Sequence, residues 1–227
     1  LIKYYSLINH NLIYENEAIN RYKINSNLAV KGIKGKELQE LKRKIINIKN
    51  CELKKNSKNI VFSDGNPNSK IMIIGEGPGA NEDLEGVPFI GKTGELLDKM
   101  LSSISLDRDS VYITNVVNYR PPENRSPIKE EIDRYLPYLK KHIEIIDPKI
   151  LILLGSSALN AVIGDEQKIS EIRGKWIDKK MGNCNVSIIV SFHPAFLMRQ
   201  PDQKAMSWID LKMIRKKISD LKIKIER

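Results

Sequence analysis

Four short apolar runs constrain this chain more than any other feature: Lys70 to Ile74, Val111 to Thr114, Lys149 to Leu154 and Val186 to Val190. Aliphatic or β-branched almost throughout, they have the pattern of strands buried on both faces of a parallel sheet. Helical patterns fill the intervals. Thr93 precedes Glu95, Leu96, Leu97, Met100 and Leu101. Pro127 opens a stretch with Ile132, Leu136, Leu139, Ile143 and Ile146, and Ser156 opens a short one with Leu159, Val162 and Ile163. Before the first strand, Leu38, Leu41, Ile45 and Ile48 predict an amphipathic helix from Glu37 to near Cys51. After the last, Leu211, Ile214, Ile218, Leu221 and Ile225 predict a terminal helix. Strand alternating with helix predicts an α/β fold, a three-layer α/β/α sandwich with a central four-stranded, mainly parallel sheet and right-handed crossovers.

In such a sheet ligands bind beyond the carboxyl ends of the strands. Those ends carry Gly75-Glu76-Gly77-Pro78-Gly79, Asn115, Gly155 and Ser191-Phe192-His193-Pro194. The polar, Asn- and Lys-rich stretch 1–36 shows no chemistry and reads as an N-terminal extension, leaving 37–227 as one domain of a size that can bury a substantial core.

Lys and Arg number 38 against 28 Asp and Glu, a formal net charge of +10, which suits a polyanionic partner. Solvated lysines of a composition rich in Lys, Ile and Asn account for the same charge without one. No apolar run approaches the ~20 residues that cross a bilayer, so no membrane role is expected. Lys3 interrupts the apolar start of the chain, so secretion is not expected either. The two cysteines, Cys51 and Cys184, show no framework spacing, which fits reduced thiols in a cytoplasm.

Two glycine motifs suggest nucleotide binding and fail on context. Gly86 to Thr93 has the P-loop pattern, but it follows the strand by about ten residues and Pro88 removes an amide needed for a phosphate cradle. Gly75-Glu-Gly77-Pro-Gly79-Ala80 has the dinucleotide pattern, but Glu95 falls inside a predicted helix and Pro78 disfavours a turn into one.

Taken together and in order, four segments resemble the successive motifs of family 4 uracil-DNA glycosylases. These are Gly75 to Asp83, Gly86 to Gly94, Ile113 to Arg125 with its Tyr119-Arg120-Pro-Pro, and His193-Pro-Ala-Phe-Leu-Met-Arg199. The resemblance spans about residues 50 to 215. It implies that Glu76 activates the attacking water and stabilises the cationic sugar, and that His193 donates to uracil O2. It implies further that Gly77, Phe89 and Asn115 bind the base, with Phe89 stacking on it and the Asn115 amide pairing with its edge. Lys92, Thr93, Arg120, Arg125 and Arg199 would contact DNA phosphates, with Lys175 in support. Leu197 and Met198 would wedge into the stack vacated by the base.

The family holds a 4Fe-4S cluster on four cysteines, whose counterparts here are Ile48, Cys51, Tyr119 and Tyr135. Three thiols are missing, so the expectation is no cofactor, with those side chains packed in its place. Nor does Asn124 to Lys129 show the inserted histidine of a branch that bonds covalently to the abasic sugar, so water is the expected nucleophile. The resemblance implies a monomeric, cytoplasmic, bacterial repair enzyme that flips uracil from single- or double-stranded DNA, hydrolyses its N-glycosidic bond and leaves an abasic site. The rivals are a catalytically silent DNA-binding relative and a nucleotide-binding enzyme.

Overall fold

The computed structural model describes residues 33–164 and 167–225. Nearly all of the stretch 1–36, expected to be an extension, lies outside them. The elements run α1 (Ile33–Ile46), α2 (Glu52–Lys55), β1 (Asp64–Gly65), β2 (Ile71–Gly75), α3 (Ala80–Glu85), α4 (Gly91–Ser102), β3 (Tyr112–Asn115) and α5 (Lys129–Ile146). They continue with β4 (Ile150–Leu154), α6 (Ser156–Val162), α7 (Ile169–Ile172), β5 (Trp176–Met181), β6 (Cys184–Ser191), α8 (Pro194–Arg199) and α9 (Lys204–Asp220).

All four expected strands form, and they lie side by side and parallel, β3-β2-β4-β6. Alternate residues of each strand face opposite layers. Met72, Ile74, Leu151, Leu153, Ile188 and Val190 pack with Leu41 and Ile45 of α1, Leu139 and Ile143 of α5, and Leu159 of α6. Ile71, Ile73, Ile150, Ile152 and Ile189 face the other way, onto Leu97 and Leu101 of α4, Leu197 of α8, and Leu211 and Ile214 of α9. This is the three-layer α/β/α arrangement.

The sheet has six strands rather than four. β1 is two residues, Asp64 and Gly65, antiparallel to β3, too short for any hydrophobic period to register. β5 runs antiparallel to β6 through the Gly182-Asn183 turn and exposes Asp178, Lys179 and Lys180. Charges suit an edge strand because they discourage pairing with other chains, and they erase the apolar pattern by which strands are recognised. Two helix expectations also shift. α3 starts two residues after Pro78, because the proline stands outside the helix, where its missing N–H costs nothing; Gly79 is the N-cap. α9 ends at Asp220, so Leu221 and Ile225 lie beyond it.

Candidate active site

The order of the parallel strands sets the order of the site. Asn115 ends β3, Glu76 follows β2, Gly155 and Ser157 follow β4, and His193 follows β6. Neighbouring strands are ~4.8 Å apart, so Glu76 and His193 spring from backbones separated by two spacings, ~10 Å, about the width of a nucleoside. Both line an open cleft of about 710 Å³, together with Gly77, Phe89, Asn115, Thr93, Arg125 and Arg199.

The Gly75 to Gly79 turn lets these groups crowd together. A Cβ on Gly75 would fall 2.4 Å from the Phe89 ring and 2.5 Å from Asn115 Oδ1, so only glycine admits both at this strand end. Asn115 is buried, and the Phe89 ring stacks on that of His193 with centroids 5.4 Å apart. Phe89 holds a left-handed backbone, φ 54°, which costs energy for a bulky residue and must be imposed by its neighbours. Two groups do so. Arg108 donates to the Pro88 carbonyl at 3.1 Å and to the Phe89 carbonyl, and is itself fixed by Asp64 at 2.7 Å and Asp98 at 2.8 Å. The buried Glu82 carboxylate accepts from Ile90 N at 2.9 Å and from Gly79 N at 3.1 Å, tying the Phe89 loop to the glycine turn.

His193 is half-buried, and burial holds its imidazole well below the usual range, to about 4. The nearby Glu76 charge opposes that shift and Arg199 adds to it. The ring is therefore neutral at pH 7. Its Nδ1 accepts from Ala195 N at 3.2 Å, so the proton of the neutral ring sits on Nε2 and is free to be donated. Glu76 accepts from Ser157 Oγ at 2.5 Å.

The structure brings the five expected catalytic and base-binding residues to one cleft, and of the expected DNA contacts Thr93, Arg125 and Arg199 line it with them. Lys92 is exposed and Thr93 half-buried in the first turn of α4. Arg120 donates to Asn124 Oδ1 at 2.8 Å, and Arg125 pairs with Glu131 through two bonds of 2.7 and 2.8 Å. Lys175 and Arg199 are exposed. Leu197 departs from expectation: at 1% exposure it belongs to the core beneath α8, whereas Met198 beside it is 41% exposed, so only Met198 is available as a wedge. Sequence reasoning missed Ser157, Glu82 and Arg108. Glu82 had a faint signal, standing three residues after a glycine N-cap. Ser157 and Arg108 had none, because their partners lie in other elements.

A carboxylate, an amide, an aromatic ring and an uncharged imidazole gathered at parallel strand ends are the equipment of a base-recognising α/β enzyme. Comparison with known proteins narrows that class. Residues 62–216 match the profile of the Uracil DNA glycosylase superfamily. The chain is 39% identical over 181 residues to the type-4 uracil-DNA glycosylase of Pyrobaculum aerophilum, covering 78% of this chain and 92% of that one. With the type-4 enzyme of Sulfurisphaera tokodaii it shares 39% over 183 residues, covering 78% and 83%. With that of Thermotoga maritima it shares 41% over 150 residues, covering 66% and 77%. This chain belongs to the uracil-DNA glycosylase superfamily.

These relatives overturn the expectation that the protein has no cofactor. They are type-4 enzymes, the class that uses a 4Fe-4S cluster, and the likeness to them covers most of the chain. The donor set is a separate finding, and it does not fit the group. Cys51 is the sole thiol at the four matching positions; its Sγ lies 3.3 Å from Tyr135 Oη, and both are buried in one core cluster with Tyr119, against which Ile48 packs. Among the described residues no three His, Cys, Asp or Glu come together as a metal site.

Proposed function

We propose that this protein removes uracil from DNA by hydrolysing the N-glycosidic bond, leaving an abasic site and starting base-excision repair. The observation that carries this reading is the pairing of Glu76 with a neutral, Nε2-protonated His193 in one cleft. As the C1′–N1 bond breaks, the sugar becomes cationic and uracil departs with the bonding electrons, its charge spread onto O2. Glu76 stabilises the cation and takes a proton from the water that adds to C1′. His193 Nε2–H donates to O2 as charge gathers there, a contact stronger in the transition state than in the ground state. Asn115 offers a donor and an acceptor to the uracil edge, which cytosine's reversed pattern does not match. Phe89 forms the wall on which the base stacks.

A base inside a duplex must first be extruded, at a cost of a few kcal/mol that is least in single strands. Met198 fills the gap. Lys92, Thr93, Arg120, Arg125 and Arg199 hold the phosphates, Arg125 sharing its charge with Glu131. The catalytic domain is 37–227, working as a monomer in a bacterial cytoplasm. No helix among the described residues is long and apolar enough to cross a membrane. A silent DNA-binding relative would need no neutral imidazole facing a carboxylate, and that rival is not favoured. Release of free uracil from a labelled uracil-containing oligonucleotide tests the proposal; intact DNA binding with no release would refute it.

A further inference from the structure

We infer that Ser157 is a positioning residue for this reaction, holding the Glu76 carboxylate in its working orientation through a hydroxyl in the first turn of the helix that follows a neighbouring strand. The inference rests on the role proposed for Glu76. Ser157 Oγ lies 2.5 Å from Glu76 Oε2, across 81 residues of sequence. An ionised carboxylate only accepts, so the hydroxyl is the donor. Among the described residues it is the one side chain that hydrogen-bonds Glu76.

Glu76 sits in a glycine turn between Gly75 and Gly77, and its backbone carbonyl accepts from Val117 N at 3.2 Å. Ser157, by contrast, stands on a rigid frame. It is the second residue of α6, which follows β4 after Gly155, and β4 is in register with β2 from Ile71↔Ile150 to Ile74↔Leu153. Gly155 makes the turn between β4 and α6 at φ 90°, where a Cβ would come within 3.2 Å of His193 Cβ. Ser157 thus stands in the first turn of the helix after β4, the strand lying between those that lead to Glu76 and His193. One carboxylate oxygen is engaged by the hydroxyl, which keeps the other turned to the reaction. A carboxylate left to sample its rotamers would spend most of its time misaligned with the water and with C1′, which slows chemistry without weakening binding.

The test is steady-state and single-turnover kinetics on a uracil-containing single strand with five proteins: wild type, Ser157→Ala, Ser157→Thr, Glu76→Gln and the Ser157→Ala/Glu76→Gln pair. Ser157→Ala should lower kcat about 10-fold or more with KM within about twofold, and Ser157→Thr, which keeps the hydroxyl, should recover to within about threefold of wild type. In the Glu76→Gln background, Ser157→Ala should cost less than about twofold further, because its effect passes through the carboxylate. A wild-type kcat in Ser157→Ala, a loss confined to KM, a Thr variant as slow as the Ala variant, or multiplying effects in the pair would each overturn the inference. Failure of the underlying reading looks different: Glu76→Gln itself would then turn over at the wild-type rate.

Discussion

The backbone N–H of Ala195 donates to His193 Nδ1 at 3.2 Å, fixing which nitrogen of the neutral ring carries the proton. A helix that begins at Pro194 makes this bond local: the residue before the helix turns its side chain back onto the first free amide, as an N-cap does. The donor that faces the cleft is therefore set before any substrate arrives.

Because burial holds the His193 imidazole down to about 4, it stays neutral throughout the physiological range. The single-turnover rate should show no inflection from an imidazole near its ordinary pKa of about 6.5. Rates measured from pH 5.5 to 9 on a uracil-containing single strand check this, and a clear step between pH 6 and 7 would count against a neutral donor.

Removing that donor should act on chemistry rather than binding. His193→Ala should lower the cleavage rate by about 10²-fold or more while DNA affinity changes little, since the bond strengthens only as charge reaches O2. Fluorescence anisotropy alongside single-turnover cleavage separates the two effects.

Phe89→Ala should weaken capture of the base by about 1–3 kcal/mol, the worth of base–aromatic stacking, and should also loosen His193, whose ring lies against it. Affinity for uracil-containing DNA relative to the same sequence with thymine reports the first effect, and kcat the second.

The two residues of the expected wedge should now separate. Leu197→Ala opens the core under α8 and should cost about 2–5 kcal/mol of stability, seen in urea unfolding. Met198→Ala should leave stability within about 0.5 kcal/mol and slow excision from duplexes more than from single strands, where nothing need be unstacked.

A second buried histidine predicts acid sensitivity. His142 stacks on Phe62 at 4.7 Å and shares a 2.7 Å hydrogen bond with Tyr112 Oη, and burial lowers its pKa to about 3. Free in the unfolded chain it titrates near 6.5, so between those values the unfolded state binds the extra proton. Stability therefore falls as pH drops, by up to about 2–3 kcal/mol between pH 6.5 and 4.5. Urea midpoints at several pH values should show the fall, and the paired His142→Phe/Tyr112→Phe variant should remove the share that belongs to His142, leaving that of His193, which burial also holds down.

The layered fold was legible because β2 and β4 are buried at every position and β3 and β6 over most of their length, leaving short apolar runs, a pattern that survives without knowledge of the partners. β5 was not, because an edge strand carrying Asp178, Lys179 and Lys180 has the composition of a loop. Glu76, Phe89, Asn115 and His193 stood out through their place after strands and their family order. Ser157 and Arg108 act through bonds to other elements, and no spacing along the chain announces such a partner; Glu82 acts locally, on Gly79 and Ile90, and only its place three residues after a glycine marks it. Leu197 and Met198 are adjacent letters with equal claim to the surface; the phase of a six-residue helix decides between them.

The neighbours in the sheet are not neighbours in the chain, and this governs when activity can first exist. The strand bearing Glu76 is flanked by one from later in the sequence on each side, and the histidine arrives with the last strand laid down. A nascent chain halted before Ser191 holds no working site, and neither fragment of a protein cut between Glu76 and His193 can excise a base until the two reassociate.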